Sequence, residues 1–402
     1  MADDLSQGPL TGFRVLEACQ MISGPLAGML LADLGADVVK IEERAVGDRY
    51  RWAGTAVREM STAFASTNRG KRSLAVDLRA DAGLDAVRRL AADADVFIQN
   101  FRPGVGDRIG IGPEALMAAN PELIYVTITG FGADGPYADQ KVYDYVIQAL
   151  TGMASLQEVN ERPTLVKNLA IDKVTAYTVA QAVTSALLAR ARGAGGQHVR
   201  VSMLDVGLAF MWPDAMTDQL VVEGEVRRQP HMSTYYEVRP TADGFIAQMA
   251  ISDRQFPGLC AALGTEHWLE DPRFASMGER IANAADLGTL IDAEFGKHET
   301  AALLARLHEH DVAAAPVHSL DDVHLDPQVQ HNGTLVERSL PHLGTVREPR
   351  PAIRFDSTPT DLGRGAPALG EHTDEVLLEG GFSADEVAAL RDGGAVGRPT
   401  RG

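Results

Sequence analysis

The chain has 402 residues, 45% apolar and 23% charged, so it can bury a large core and is not composed like a disordered segment. Its length predicts two domains rather than one. With 37 basic against 55 acidic residues the formal charge is −18, which repels polyanions and argues against a nucleic-acid or anionic-membrane partner. A small anion can still bind where a local basic pocket outweighs that field.

Two cysteines, Cys19 and Cys260, make neither a disulfide framework nor a zinc motif, which fits a reduced, cytoplasmic setting. Met1-Ala2-Asp3-Asp4 leads into no apolar run, so no signal peptide is expected. The apolar stretch Met21 to Val39 is broken by Asp33 and Asp37 and falls short of a membrane span.

Arg14–Ala18 reads as a short buried strand. Ser23-Gly24-Pro25 is a helix-start signal, Leu26–Leu34 is the helical run, and Gly35 stops it. Asp37–Ile41 and Ser73–Leu78 read as strands, and Asp81 to about Ala92 as a helix. Asp95–Ile98, a helix near Pro113–Ala119 and Leu123–Thr129 complete the series. This alternation predicts an α/β domain whose parallel sheet is covered on both faces. Ligands of such a sheet bind beyond the carboxyl ends of its strands. Those ends are the segments after Ala18, after Ile41, around Asp77–Arg79, at Asn100–Arg102 and at Gly130–Gly135.

Val174–Ala189 is predicted as a helix with Asp172 at its start and Arg190, Arg192 and Gly193 closing it. A strand over His198–Met203 follows. From about residue 220 the pattern changes. Tyr235–Val238 and Phe245–Ala250 read as paired strands around an Asp243-Gly244 turn, with helices near Ala285–Phe295 and Thr300–His308. The expected organisation is a large domain over 1–215, completed by 335–402, and a small α+β domain over 225–325. Linkers fall at 216–224 and 326–334. Ser383-Ala384-Asp385-Glu386 is a capping box before a last helix.

Gly130, Gly132 and Gly135 fit G-x-G-x-x-G, but Pro136-Tyr137-Ala138-Asp139 opens no apolar helix, so the context of a nicotinamide site is missing. A loop near a ligand is the better reading. By pattern alone Asp172 reads as a helix cap, and the same position would keep a carboxylate ionised and able to attack an activated acyl group. Lys71, Arg72, Arg79, Arg102, Arg108 and Lys141 gather near the expected ligand edge and read equally as a phosphate site or as surface charge. Asn100-Phe101-Arg102-Pro103-Gly104 suits a ligand with a ring and a phosphate. His308-Glu309-His310 reads as solvated, and no metal site is expected. Cys19 reads as a small buried thiol.

Taken in order, several segments resemble the family III CoA-transferases, the CaiB/BaiF group that includes formyl-CoA transferase, carnitine CoA-transferase and the 2-methylacyl-CoA racemases. They are Gly12-Phe13-Arg14-Val15-Leu16, Gly24-Pro25, the run from Leu31 to Glu42, Gly47-Asp48, and the run from Asn68 to Ser73. Asn100 to Gly104, Gly130-Phe131-Gly132, Gly196-Gln197-His198-Val199 and Gly370-Glu371-His372-Thr373 continue them. The resemblance implies a Rossmann-like large domain, a small α+β domain and an interlocked homodimer. It implies that Asp172 is the nucleophile. CoA or acyl-CoA is then a substrate, with a carboxylic acid as acceptor and no permanently bound cofactor or metal.

The resemblance also implies CoA contacts. Ile22 and Ser23 would lie near the thioester. Val76, Asp77, Leu78 and Arg79 would hold the adenine and ribose end. Asn100, Phe101, Arg102 and Arg108 would follow the phosphates and pantetheine, with Lys141, Val142, Tyr143 and Asp144 closing the cradle. Ile22 replaces the Gln of oxalate-using members, the glycine-rich loop of their small domain is absent, and Glu43 stands where relatives often carry a basic residue. Racemases place His before the equivalent of Asp144 and Phe-Gly-Gly after the catalytic Asp. Here Tyr143 and Lys173-Val174 stand there, and Tyr, with a reference pKa of about 10, is a poor base. A non-catalytic acyl-CoA-binding protein is the alternative of a different class.

Overall fold

The computed structural model describes residues 8–58, 60–224 and 237–397. These fall into two compact units, one from residues up to 216 together with those from 333 onward, the other over 217–332.

The first unit is built on β1 (Arg14–Ala18), α1 (Ser23–Asp33), β2 (Asp37–Glu42), β3 (Arg72–Ala75), α2 (Asp81–Ala92), β4 (Val96–Gln99), β5 (Ile124–Thr129), α3 (Asp144–Leu150), α4 (Ala170–Ala189), β6 (Gln197–Ser202) and α5 (Met203–Ala215). The sheet runs β3-β2-β1-β4-β5-β6, with every neighbouring pair parallel. The strand order reverses between β1 and β4, where a doubly wound sheet opens a crevice at its carboxyl edge.

Strand periodicity divides the apolar side chains between two layers. Val15, Val38, Val96 and Val126 face one way and pack with Leu31 of α1 and Val179 and Val183 of α4. Leu16, Val39, Phe97 and Tyr125 face the other way, against Val87 and Leu90 of α2 and against Val376, Leu377 and Val387 near the carboxyl terminus. This two-sided burial explains the near-continuous apolar runs of the strands.

The second unit has β7 (Val238–Pro240), β8 (Phe245–Gln248), α6 (Phe256–Leu263), α7 (Ala284–Phe295), α8 (Thr300–Glu309) and β9 (Ala314–Pro316). β8 is the central strand and pairs antiparallel with both others. Ile246, Phe256, Leu259, Phe295, Leu303 and Leu307 form its core. The chain then returns through an antiparallel hairpin of Leu335–Leu340 and Gly344–Pro349, followed by α9 (Thr373–Glu379) and α10 (Ala384–Asp392). Ser383 and Glu386 form the expected capping box. No helix among the described residues is long and apolar enough to cross a membrane.

Several boundaries differ from expectation. The strand expected over Ser73–Leu78 ends at Ala75, because the Asp77 carboxylate accepts the Arg79 N–H at 3.0 Å and turns the chain. The helix expected from Val174 begins at Ala170, with Leu169 at the cap position. Asp172 therefore lies inside the first turn rather than before it. Tyr235 and Tyr236 lie outside the described residues, and the first strand of that hairpin is Val238–Pro240. Helix α6 and the strand β9 were not anticipated.

Candidate active site

The turn from β1 into α1 carries the site. It passes through Met21, whose φ of 69° is left-handed, a region that costs a non-glycine residue about 1 kcal/mol or more. Four side chains from other segments hold this turn. The Asn100 amide accepts the Gln20 N–H at 3.0 Å and donates to the Gln20 carbonyl at 2.8 Å, bridging the crevice between β1 and β4. Asp48 accepts the Met21 N–H at 2.9 Å. Lys40 donates to the Cys19 carbonyl at 2.9 Å, and Lys71 to the Pro25 carbonyl at 2.6 Å.

Beneath the turn lies a buried ionic cluster. Glu17, Lys40 and Lys71 are 0% exposed and Asp48 is 1% exposed. Lys40 Nζ sits 2.9 Å from Glu17 Oε1 and 2.9 Å from Asp48 Oδ2. Lys71 Nζ sits 2.6 Å from Glu17 Oε2 and 2.8 Å from the Asn68 amide oxygen. The pairing of two cations with two anions offsets a desolvation cost that neither sign could bear alone. Burial would lower the Lys40 ammonium, but Glu17 and Asp48 beside it raise it well above the usual lysine value. Burial lowers Lys71 to about 8 despite Glu17, with the Lys40 charge adding to the depression. Gly28 is required because a Cβ there would fall on the Glu17 carboxylate.

Ser23 opens α1, and its hydroxyl donates to Asp172 Oδ1 from the first turn of α4. The Asp172 N–H donates to Asp144 Oδ2 at 2.9 Å. Gln148 holds the other Asp144 oxygen at 2.5 Å and ties down the preceding loop through the Val166 N–H at 3.0 Å and the Asn168 carbonyl at 3.0 Å. Burial pushes the Asp172 carboxyl up to about 6, opposed by the Ser23 hydroxyl and reinforced by the Asp144 charge. Tyr50 is raised by burial first, then by the charges of Asp172 and Asp48.

A cavity of about 650 Å³ opens over Asp172. Of the anticipated residues, Ile22, Ser23, Asn100, Phe101, Arg102 and Lys141 line it, as do Val142, Tyr143 and Asp144. Tyr143 stacks on Tyr145 with ring centroids 5.8 Å apart. Val76, Asp77, Leu78 and Arg79 line a smaller cavity of about 160 Å³, and Phe101 and Gln20 belong to both. There Glu43 lies 3.8 Å from Arg79, and Arg44 lies 3.9 Å from Asp77. Arg108 lines neither cavity.

Lys71 and Arg72 are not at the ligand edge. Lys71 is in the buried cluster, and Arg72, at the amino end of β3, pairs with Asp37, Glu375 and Glu379. The reason is direction: β3 starts at Arg72, so its ligand edge lies past Ala75. Gly130 and Phe131 line the large cavity, and Gly132 and Gly135 take positive φ in an irregular loop, not a helix-opening turn. Cys19 is buried and its thiol is raised well above the usual value by burial and Glu17, which leaves it inert.

Sequence reasoning missed Gln20, Met21, Arg49 and Gln148 as contributors. Only the motif Gly47-Asp48 hinted at the segment that supports the turn. The arrangement sets a carboxylate, raised in basicity by burial, against a cavity also lined by Arg49, Arg102 and Lys141, whose side chains have no hydrogen-bond or ion-pair partner among the described residues. Among the described residues, no group of three or more His, Cys, Asp or Glu side chains could hold a metal.

Residues 10–373 match the profile of CoA-transferase family III. The chain is 36% identical to the succinate–glutarate CoA-transferase of Agrobacterium fabrum, over 92% of this chain and 95% of that protein. It is 30% identical to a formyl-CoA:oxalate CoA-transferase of Escherichia coli, over 96% and 99%. A crystal structure of a CaiB/BaiF family protein from Brucella suis superposes with a TM-score of 0.82 at 34% identity, over 93% of this chain and 99% of that one.

Proposed function

The chain belongs to CoA-transferase family III, and from that premise we propose that it moves CoA from an acyl-CoA thioester to a carboxylic acid through covalent intermediates on Asp172. The observation that carries this reading is the carboxylate of Asp172, hydrogen-bonded to Ser23 and facing the cavity of about 650 Å³.

In the first step an Asp172 oxygen attacks the thioester carbonyl. The C–S bond breaks and CoA leaves as thiolate, so a mixed anhydride remains on the enzyme. The thiolate then attacks the aspartyl carbonyl and expels the donor acid, which leaves an aspartyl-CoA thioester. An acceptor carboxylate attacks that thioester and again releases the thiolate. The thiolate attacks the acceptor's acyl carbon, forms the new acyl-CoA and returns Asp172 as carboxylate. Each step exchanges one activated acyl bond for another, which divides a hard exchange into easier ones. Both intermediates hydrolyse, so the site must exclude water.

Residues of this chain supply the rest. Arg102 and Lys141 would neutralise phosphates, which lets a chain of charge −18 hold CoA. The cavity of Val76 to Arg79 suits the adenine end, with Arg44 and Glu43 adjusting its charge. The Gln20–Asn100 bridge keeps the turn in place while the thioester lies over it. We further propose the interlocked homodimer of the family as the working assembly. Light scattering during gel filtration checks its mass.

Peptide mass spectrometry after incubation with acyl-CoAs and hydroxylamine tests the mechanism. An activated Asp172 is expected as its hydroxamate, and Asp172→Asn should abolish both label and turnover while still binding CoA. Turnover without modification of Asp172, or exchange of the proton beside the thioester as its only activity, would overturn the proposal.

A further inference from the structure

Three cations line the large cavity: Arg49, Arg102 and Lys141. None of their side chains makes a hydrogen bond or ion pair among the described residues. Arg102 and Lys141 sit with Asn100, Phe101 and Tyr143, the residues assigned above to CoA. Arg49 comes from a different segment, the short helical turn Arg49–Trp52.

Its neighbours place it on the nucleophile's side. Asp48, before it, holds the Met21 N–H at 2.9 Å, two residues from Ser23. The phenol of Tyr50, after it, is raised in part by the Asp172 charge. Arg51, one residue further, is committed elsewhere: it pairs with Glu42 at 2.7 Å, donates to the Pro367 carbonyl at 3.0 Å and lies 3.7 Å from the Phe64 ring centroid. The fold therefore uses Arg51 and leaves Arg49 to the cavity. The same cavity is also lined by the apolar residues Met21, Ile22, Leu169 and Met203.

We infer that Arg49 is a specificity-determining residue that takes the distal carboxylate of a short dicarboxylic acid, whose other carboxyl carries the thioester. This rests on the transferase reading above and names its substrate class. A substrate that reacts at Asp172 and ends in a methyl group displaces water from Arg49 and leaves a guanidinium without a partner. One that ends in a carboxylate pairs with it, often through two parallel hydrogen bonds, while its methylenes lie on those apolar residues. The cation also offsets the repulsion a dianion meets from Asp172 and Asp144.

Matched thioesters test this: succinyl-CoA against butyryl-CoA, and glutaryl-CoA against pentanoyl-CoA. The readout is the ratio of kcat/KM within each pair for hydroxylamine trapping at Asp172. The wild type should favour the carboxylate-tailed member by about tenfold or more. Arg49→Met should collapse that ratio toward unity, and Arg49→Lys should keep part of it. A wild type that ignores the tail overturns the inference. So does an Arg49→Met protein whose rates fall equally for both members, which would make Arg49 a CoA-phosphate or structural residue. If no thioester modifies Asp172, the transferase reading falls and this inference with it, an outcome distinct from an unchanged ratio at a labelled Asp172.

Discussion

Lys71 and Arg72 are neighbours in the chain with opposite fates. Lys71 ends 0% exposed beneath the turn from β1 into α1, bound to Glu17, Asn68 and the Pro25 carbonyl. Arg72 is also buried, but its carboxylate partners Asp37, Glu375 and Glu379 are 37%, 48% and 44% exposed. Water therefore shares the second cluster and is shut out of the first. The first holds the turn that aims Ser23 at Asp172. The second fastens α9 to the starts of β2 and β3. A dry ion cluster holds one geometry because every alternative leaves a buried charge unpaired, whereas a wetted one tolerates rearrangement.

The largest expected effect is that of Lys71→Met. It leaves the Glu17 carboxylate buried with one partner fewer and should cost about 3–5 kcal/mol in urea unfolding. Trapping at Asp172 should fall with it, because the Pro25 end of the turn is released. A cost near that of a surface pair would break the comparison.

Asp172→Asn sharpens it from the other side, because Asp172 is a half-buried carboxylate with no cation paired to it among the described residues. Its folded pKa, about 6, stands above the unfolded value. Ionisation therefore destabilises the fold at higher pH, and the penalty disappears toward about pH 4. The Asn protein should be more stable by about 1–3 kcal/mol at pH 8, with the gain vanishing on acidification. Thermal unfolding across pH checks both the sign and the window.

Arg72→Met should cost only about 1–2 kcal/mol, since its carboxylates fall back on water, and should leave trapping at Asp172 intact. The smallest effect is expected from Ser23→Ala. Its hydroxyl favours the Asp172 anion, so removing it should move the acid limb of kcat/KM upward by about half to one pH unit. An unshifted limb would mean that Ser23 only fills space.

Much of the framework was legible in the residues. The helices opened by Asp81 and near Pro113–Ala119 were found where expected, because each has a local start signal and a regular period. Most of the core strands were found because buried parallel strands read as apolar runs. Boundaries slipped where side chains decided them: Asp77 ended β3 early, and Ala170 extended α4 forward. The strand β9 was missed because its three residues, Ala314–Pro316, carry no alternation of their own.

Asp172 and the neighbours proposed to hold CoA were marked by resemblance, and their types alone left Asp172 open between cap and nucleophile. The supporting residues were not marked at all. Glu17 and Lys40 stand inside strands, and their pairing joins positions 23 residues apart through the parallel register of β1 and β2. No local pattern reports such a pairing.

By itself the sequence determined the α/β alternation and which edge of the sheet is the carboxyl edge, because these follow from local periodicity and chain direction. The tertiary structure alone decided that Lys71 would be buried and Arg72 wetted, that the strained Met21 turn would be held, and that Arg49 would line the cavity with no partner among the described residues. Those outcomes depend on which distant charges share a space from which water is excluded, and only packing sets that.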